Sequence, residues 1–162
     1  MSIFYPGQWT LETHDRGFTL IEILIVIAII SILVAVVTVG LFASLQNGRD
    51  ARRVSDIQEI QAALQLYFEK NGCYPTPGGI CGSSGSMIWG ALQAGLTGDN
   101  IGVTQVPDDP LAPSQHYFYG SDGISYQLGA LLENMDNPAL KDSDHTDGFI
   151  DCTPVTMYCV SE

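Results

Sequence analysis

Residues 17–42 read GFTLIEILIVIAIISILVAVVTVGLF, and this stretch decides the architecture of the chain. The twenty residues from Ile23 to Phe42 carry no charge. As a helix they are roughly 30 Å long, which matches the hydrocarbon core of a bilayer. A chain of 162 residues has room for about one small domain besides. A core helix this uniformly apolar is not expected in so small a domain, so the stretch predicts a membrane-spanning helix.

One acidic residue, Glu22, stands at the edge of the apolar run, five residues after Gly17. Ionisable groups at membrane depth are costly and mark functional positions. A secretory signal peptide has a shorter apolar stretch followed by a small-residue cleavage site, and this chain has neither. An uncleaved signal anchor is the alternative, but an anchor has no need of Glu22. If the chain is cut after Gly17, the new amine of Phe18 can pair with Glu22 of a neighbouring copy.

The segment Gly17-Phe18-Thr19-Leu20-Ile21-Glu22, running straight into the apolar helix, resembles the class III signal of type IV pilins and type II secretion pseudopilins. The resemblance implies that a prepilin peptidase cuts between Gly17 and Phe18 on the cytoplasmic side and then N-methylates Phe18. Glu22 would serve assembly. The leader departs from many in the family, since it is long and has Arg16 as its single basic residue.

The resemblance also implies where the chain resides and what it meets. The precursor would cross the inner membrane once, surrounded by lipid and with its head outside the cytoplasm, and would later join an extracellular or periplasmic filament. The implied partners are further copies of the chain, the prepilin peptidase, an inner-membrane assembly platform and a cytoplasmic assembly ATPase.

A second helical pattern follows the apolar stretch. In residues 49–70, apolar side chains recur at steps of three or four, which predicts an amphipathic helix that continues the first. Asn71-Gly72 is a helix stop. The stripe consists of Val54, Ile57, Ile60, Leu64 and Tyr67.

These patterns define the expected organisation. We predict an α+β, pilin-like fold in which the long N-terminal helix packs on a small antiparallel sheet of three to four strands. The predicted parts are a cleaved leader over 1–17, a transmembrane or filament-core helix over 18–45, an amphipathic stem over 46–72 and a globular head over 73–162.

Three elements of the head can be predicted. Residues 116–131 hold two β-prone runs around Ser121-Asp122-Gly123, a hairpin turn in which the tyrosines pack the sheet. Residues 86–94 favour a short helix with Trp89 and Leu92 inward, and residues 155–160 favour a last strand.

Four cysteines follow the apolar helix, an even number that favours disulfides formed outside the cytoplasm. Proximity favours pairing Cys73 with Cys81 and Cys152 with Cys159. Free thiols are the alternative, and zinc is disfavoured because the spacings exceed those of zinc knuckles.

An acidic loop near the C-terminus reads DSDHTDGFID over residues 142–151. Oxygen-rich loops suit calcium, so a calcium ion is the one cofactor that the sequence suggests. A solvated acidic loop without metal is the alternative. The candidate ligands are Asp142, Asp144, Asp147 and Asp151.

A basic cluster, Arg49-Asp50-Ala51-Arg52-Arg53, follows the apolar stretch. We interpret it either as a solvated, salt-bridged helix turn or as a surface that pairs with acidic residues of adjacent subunits. By the positive-inside rule alone it would keep the head in the cytoplasm, against the peptidase signal and the cysteines. Nucleic-acid binding is not expected, because the chain has six Lys and Arg and a net charge of -12.

No catalytic or phosphate-binding motif is present, so we do not expect an enzyme; a membrane-tethered hydrolase is the weaker class. The main hypothesis is a prepilin that polymerises into a type IV pilus-like filament for adhesion, motility or DNA uptake. Residues 51–75 resemble pilin-like proteins of small-genome uncultured bacteria, which favours a surface pilus. The alternatives are the major pseudopilin of a type II secretion system, which drives protein export, and a membrane-anchored binding domain that does not polymerise.

Overall fold

The computed structural model of the protein describes residues 17–144, 146 and 148–162, with only the backbone for Thr38, Val39 and Ile80. Residues 1–16 of the predicted leader lie outside this description. The elements are α1 (Leu20–Asn71), β1 (Pro75–Thr76), β2 (Gly79–Ile80), β3 (Gly85–Met87), α2 (Trp89–Gly98), β4 (Phe118–Ser121), β5 (Tyr126–Leu131), a 3-10 helix (Pro138–Asp142) and β6 (Met157–Ser161).

Helix α1 contains both helical patterns of the sequence. Contacts within the chain separate a first unit that ends at Gly40 from a second unit over Leu41–Glu162. The predicted stop is confirmed, because α1 ends at Asn71 and the Gly72 amide donates to the Phe68 carbonyl at 2.7 Å. Gly72 has a φ of 75°, a left-handed conformation that glycine adopts readily.

The predicted α+β architecture is confirmed in the second unit. Strands β3, β4, β5 and β6 form an antiparallel sheet in that order, and β1 and β2 form a separate two-stranded hairpin. The predicted turn joins β4 to β5, where the Asp122 amide donates to the Ser125 carbonyl at 3.2 Å. In the sheet Gln127 pairs with Ser161, and Leu131 pairs with Met157.

Two element boundaries differ from those predicted. The helix expected over 86–94 begins only at Trp89 and extends to Gly98, because Ser86 and Met87 pair with β4 as an edge strand. The last strand covers Met157–Ser161 rather than 155–160, which leaves Val155 exposed in the preceding loop.

The apolar stripe of the second half of α1 forms one side of the core. Ile57, Ile60 and Leu64 are fully buried, and they share one cluster with residues of the sheet and of α2. Trp89 and Leu92 belong to the same cluster, as predicted. Its sheet members include Tyr117, Tyr119, Tyr126, Leu128 and Ala130.

Residues 148–152 cover part of the sheet and pack on β4 and β5. The carbonyl oxygen of the buried Gln127 side chain accepts hydrogen bonds from the amides of Phe149 at 2.7 Å and Ile150 at 3.2 Å. Gly120 permits this close approach, because a Cβ atom there would lie 2.5 Å from the Phe149 Cβ. A second, smaller cluster of Ile150, Cys152, Met157 and Cys159 results.

Candidate assembly site

The predicted processing site lies before the first helical residue. Gly17 and Phe18 precede Leu20, where α1 begins, and both are exposed. A Cβ atom at Gly17 would meet no other atom within 4 Å. The peptide bond between Gly17 and Phe18 is therefore accessible and outside the helix, which is what a peptidase requires of a substrate.

Glu22 makes a local contact that the sequence analysis does not anticipate. Its amide donates to the Thr19 hydroxyl oxygen at 3.3 Å, and its carboxylate accepts from the Thr19 amide at 3.4 Å. This reciprocal arrangement is a capping box, which satisfies two free amides at a helix N-terminus. The signal was readable, because Thr19 and Glu22 have the spacing of the capping-box pattern. Within the described residues, the side chain of Glu22 forms hydrogen bonds with Thr19 alone.

The first half of α1 is apolar on every face, and the described part of the chain leaves it uncovered. The large apolar side chains whose positions are described between Leu20 and Leu45 are all exposed. Among the described residues, α1 is the one helix long and apolar enough to cross a membrane. Such a surface is stable only against lipid or against other apolar helices.

The basic cluster is not wholly the solvated turn that its sequence suggests, because that interpretation is wrong for Asp50 and Arg53. The side chains of Arg53 and Asp50 are both 0% exposed. Arg53 Nε lies 2.8 Å from Asp109 Oδ2, and its Nη1 lies 2.8 Å from Asp50 Oδ1 and 2.9 Å from Glu133 Oε1. Asp50 in turn accepts from the amides of Glu133 and Asn134, both at 2.9 Å.

The same cluster fastens α1 to two loops of the head. Arg49 binds Glu133 with two nitrogens, Nε at 2.7 Å and Nη2 at 2.5 Å. The hydrogen bond from Arg49 is the main cause that lowers the pKa of Glu133 from 4.5 to about 2, against the opposing effect of burial. The side chain of Arg52 is 62% exposed, and its Nε lies 3.6 Å from Asp56 Oδ2. Arg49 and Arg53 are thus paired with carboxylates of their own chain, and of the three arginines Arg52 alone fits the predicted solvated turn.

The candidate calcium ligands are dispersed in the part of the loop that is described. Asp144 Oδ1 accepts from the amide and hydroxyl of Thr146 at 3.0 and 2.7 Å, and Asp151 Oδ1 accepts from those of Thr153 at 3.0 and 2.6 Å. Asp142 ends the 3-10 helix, and Asp147 lies outside the described residues. Among the residues described, no three His, Cys, Asp or Glu side chains are grouped to hold a metal ion. The calcium site stays a prediction.

The four cysteines form two disulfides in the structure, in the pairing that sequence proximity favours. Cys73 is bonded to Cys81 and closes the loop that contains β1 and β2. Cys152 is bonded to Cys159 and holds the covering segment against β6. Both bonds link neighbouring parts of the head, so they stabilise loops rather than join distant elements.

The arrangement can be compared with known proteins. The family model described as "Prokaryotic N-terminal methylation motif" matches residues 13–38, which include Gly17, Phe18 and Glu22. Type II secretion system core protein G of Dickeya chrysanthemi is 36% identical over 126 residues, covering 70% of this chain and 82% of the relative. The same protein of Klebsiella pneumoniae is 29% identical over 123 residues, covering 68% and 88%.

A shorter match, to core protein G of Escherichia coli K12, is 41% identical over 62 residues, covering 38% of this chain and 43% of the relative. No solved structure was found to match. The methylation motif, the similarity over most of core protein G and the long helix packed on a four-stranded sheet agree with one another. The chain therefore belongs to the family of type IV pilins and type II secretion pseudopilins, whose members are structural subunits processed from prepilins.

Proposed function

We propose that the mature chain is the major structural subunit of a secretion pseudopilus, a short filament that acts in protein export. The observation that carries the proposal is the uncovered apolar half of α1 with Glu22 at its start. In a monomer this half of the helix is in contact with lipid, whereas in a filament it is covered by the same helix of other copies. The relatives that match over most of their length are core proteins of type II secretion, which favours export over a surface pilus.

The geometry supports the residue roles in this proposal. Cleavage between Gly17 and Phe18 produces a primary amine, which is cationic at neutral pH. In the apolar surroundings of a bundle this amine and the carboxylate of Glu22 each need a partner of opposite charge. Pairing between neighbouring copies satisfies both groups and sets the axial step. N-methylation of Phe18 keeps the amine cationic, so it is compatible with this pairing.

The remaining partners are part of the same proposal. Before assembly α1 anchors the subunit in the inner membrane, with the disulfide-bonded head outside the cytoplasm. A prepilin peptidase processes the chain. A membrane platform and a cytoplasmic ATPase drive insertion into the filament, since the subunit has no phosphate-binding motif to supply energy itself.

The test is complementation in a strain whose type II secretion system lacks its own core protein G. The full chain is expressed there, with the strain's own core protein G as the positive control. We expect an N-methylated Phe18 by mass spectrometry, sheared filaments by electron microscopy and restored export of a secreted enzyme. Gly17→Val is the matched negative control, because a side chain at the cleavage site blocks processing while the head is unchanged.

The possible results separate the parts of the proposal. Filaments without export would contradict the secretion role and favour a surface pilus. An unprocessed precursor in the presence of an active peptidase would contradict the assignment of the cleavage site and with it the whole proposal.

A further inference from the structure

The two disulfides of the head differ in their access to solvent. Cys81 is exposed, and its partner Cys73 is 5% exposed. Cys152 and Cys159 are 0% and 1% exposed, and both belong to the smaller apolar cluster of the head. A thiolate breaks a disulfide by attacking one of its sulfur atoms, so the rate of reduction depends on access to that atom. Thiols in solution can therefore reach the first bond at Cys81, whereas the second bond is covered.

The backbone at Cys81 is also held in a disfavoured conformation. Cys81 has a φ of 54°, in the left-handed region that residues with a Cβ atom seldom adopt. Such a conformation persists only where the surrounding structure imposes it. Residues 82–84, which follow Cys81, are exposed, whereas Cys73 is buried. The bond to Cys73 is therefore the link that fixes Cys81 to the interior of the head, and its opening relieves an unfavourable backbone conformation.

The first part of the loop that this bond closes is anchored to the sheet. Residues 73–76 are buried. The Tyr74 amide donates to the Gly123 carbonyl at 2.9 Å, and the Tyr119 hydroxyl donates to the Pro75 carbonyl at 2.9 Å. These contacts do not involve the disulfide, so we expect this part of the loop to stay in place when the bond is broken.

The second part of the loop, residues 77–82, depends on the hairpin itself. Strand β2 pairs with β1. The Thr76 hydroxyl donates to the Gly79 carbonyl at 2.8 Å and accepts from the Gly82 amide at 2.5 Å. All of these contacts lie within residues 75–82. Opening of the bond therefore frees residues 77–82 without removing a side chain from the main apolar core.

The hairpin also shapes the surface of the head. Together with α2 it lines a surface groove of about 710 Å³. Pro75 and Pro77 line the groove from the hairpin, and Ala91 and Ala94 line it from α2. Release of residues 77–82 changes this groove, because Pro77 moves with them.

We propose that the Cys73–Cys81 bond is a site of thiol–disulfide exchange with a dithiol reductant. A thiolate of the reductant attacks Cys81 Sγ, the bond between the two sulfur atoms of the chain breaks, and Cys73 leaves as a thiolate. The second thiolate of the reductant then attacks the mixed disulfide and releases Cys81. The reductant loses two electrons and becomes a disulfide, and Cys73 and Cys81 each take up one proton.

The consequence is a change of one surface of the head without unfolding. Reduction frees residues 77–82 and alters the groove, while the sheet and the buried bond between Cys152 and Cys159 remain. The reaction needs one copy of the chain and no filament, so it is independent of the proposed function.

Timed reduction of the full chain in detergent tests the exchange. The chain is treated with dithiothreitol without denaturant, free thiols are blocked with iodoacetamide at intervals, and labelled peptides are identified by mass spectrometry. Every cysteine is disulfide-bonded at the start, so each label reports a broken bond. The bond between Cys152 and Cys159 in the same molecule is the matched control. We expect Cys73 and Cys81 to be labelled at least about tenfold faster, because reduction of a buried bond first requires local opening.

Hydrogen exchange tests what the bond holds in place. Cys73→Ser with Cys81→Ser reproduces the reduced chain and is compared with the unaltered chain. We expect the Gly82 amide to lose its protection from exchange in this variant. The Tyr74 amide should keep its protection, and the near-ultraviolet circular dichroism of the head should be unchanged.

Three results would overturn the proposal. The first is labelling of the buried bond at the same rate as Cys73 and Cys81, or before them. The second is loss of the near-ultraviolet signal when only Cys73 and Cys81 are labelled, or in the double serine variant, because the bond would then be required for the fold. The third is a Gly82 amide that stays protected after the bond is removed. None of these results involves filaments, so the proposed function is tested separately.

Discussion

Helix α1 carries two charged regions that differ in burial and in where their partners lie. Arg53 and Asp50 are buried, and Arg53 is bound by three carboxylates of the same chain. Glu22 is exposed and, among the described residues, its side chain forms hydrogen bonds only with Thr19, directly before the helix. A charge whose partners all lie in its own chain stabilises the fold. A charge at the edge of an apolar helix, without an ionic partner among the residues that the structure describes, is suited to act between copies.

The role of Glu22 in assembly is tested by removing its charge while keeping its cap. Glu22→Gln retains a capping-box residue, since glutamine serves there as well as glutamate. We expect cleavage after Gly17 to continue, and the yield of sheared filaments to fall by about tenfold, the ratio that corresponds to about 1.4 kcal/mol. Thr19→Val is the control that removes the cap and keeps the charge. Normal filaments from Glu22→Gln would show that Glu22 acts as a cap and not as an ion-pair partner.

The buried cluster is tested by comparing two adjacent arginines. Arg53→Met leaves Asp50 and Asp109 buried without their cation, and losing one partner of a buried pair costs about 3–5 kcal/mol. We expect the free energy of unfolding of the head to fall by this amount, measured by near-ultraviolet circular dichroism of the full chain in detergent. Arg52→Met changes the same side chain at an exposed position and should cost less than about 1 kcal/mol. Equal losses in both variants would contradict the assigned burial.

The acidic loop is a third charged region, for which calcium and a solvated loop without metal are the two interpretations of the sequence. If calcium binds there, a chelator lowers the stability of the head by about 2.7 kcal/mol relative to calcium at a hundredfold excess over Kd. The measurement is thermal unfolding of the full chain with and without chelator, and Asp144→Asn should abolish the difference. An unchanged midpoint in the presence of chelator would leave the solvated loop as the correct interpretation.

The smallest expected effect is a pH dependence of the stability of the head, which distinguishes Glu133 from exposed carboxylates. Its pKa is depressed in the folded chain, so its contribution is complete above its ordinary value of 4.5 and is lost as the pH falls from there to about 2. We expect Glu133→Gln to destabilise the head by about 1 kcal/mol at pH 7 and by progressively less below pH 4.5. The exposed Glu59→Gln is the control. A difference between Glu133→Gln and the unaltered chain that does not change with pH would contradict this role.

The helical part of the fold was predictable because its determinants are local. Ile57, Ile60 and Leu64 recur at helical spacing, and Asn71-Gly72 ends the helix where the sequence indicates. The hairpin turn was predictable for the same reason. Thr19 and Glu22 could have been recognised as a capping box by their spacing alone, and this was missed.

The burial of Arg53 could not have been predicted from its surroundings in the sequence. Its partners Asp109 and Glu133 lie 56 and 80 residues further along the chain. A run of three arginines with one aspartate is typical of a solvated helix face, and only the folded loops turn it into an interior cluster. The packing of Phe149 on Gly120 is equally non-local, because it depends on a loop crossing a strand about thirty residues away.

The contact between α1 and the two loops also has a mechanical consequence. A filament transmits load along its helices, and Asn47, Arg49 and Asp50 are the first residues of the second unit to bind the loop at Glu133 and Asn134. Axial force on α1 therefore reaches the head at this turn, where several strong hydrogen bonds carry it in parallel. When single filaments are stretched in an optical trap, the head of Arg53→Met should unfold at a lower force than the head of Arg52→Met. Equal unfolding forces would exclude this turn as the place where force passes from α1 to the head.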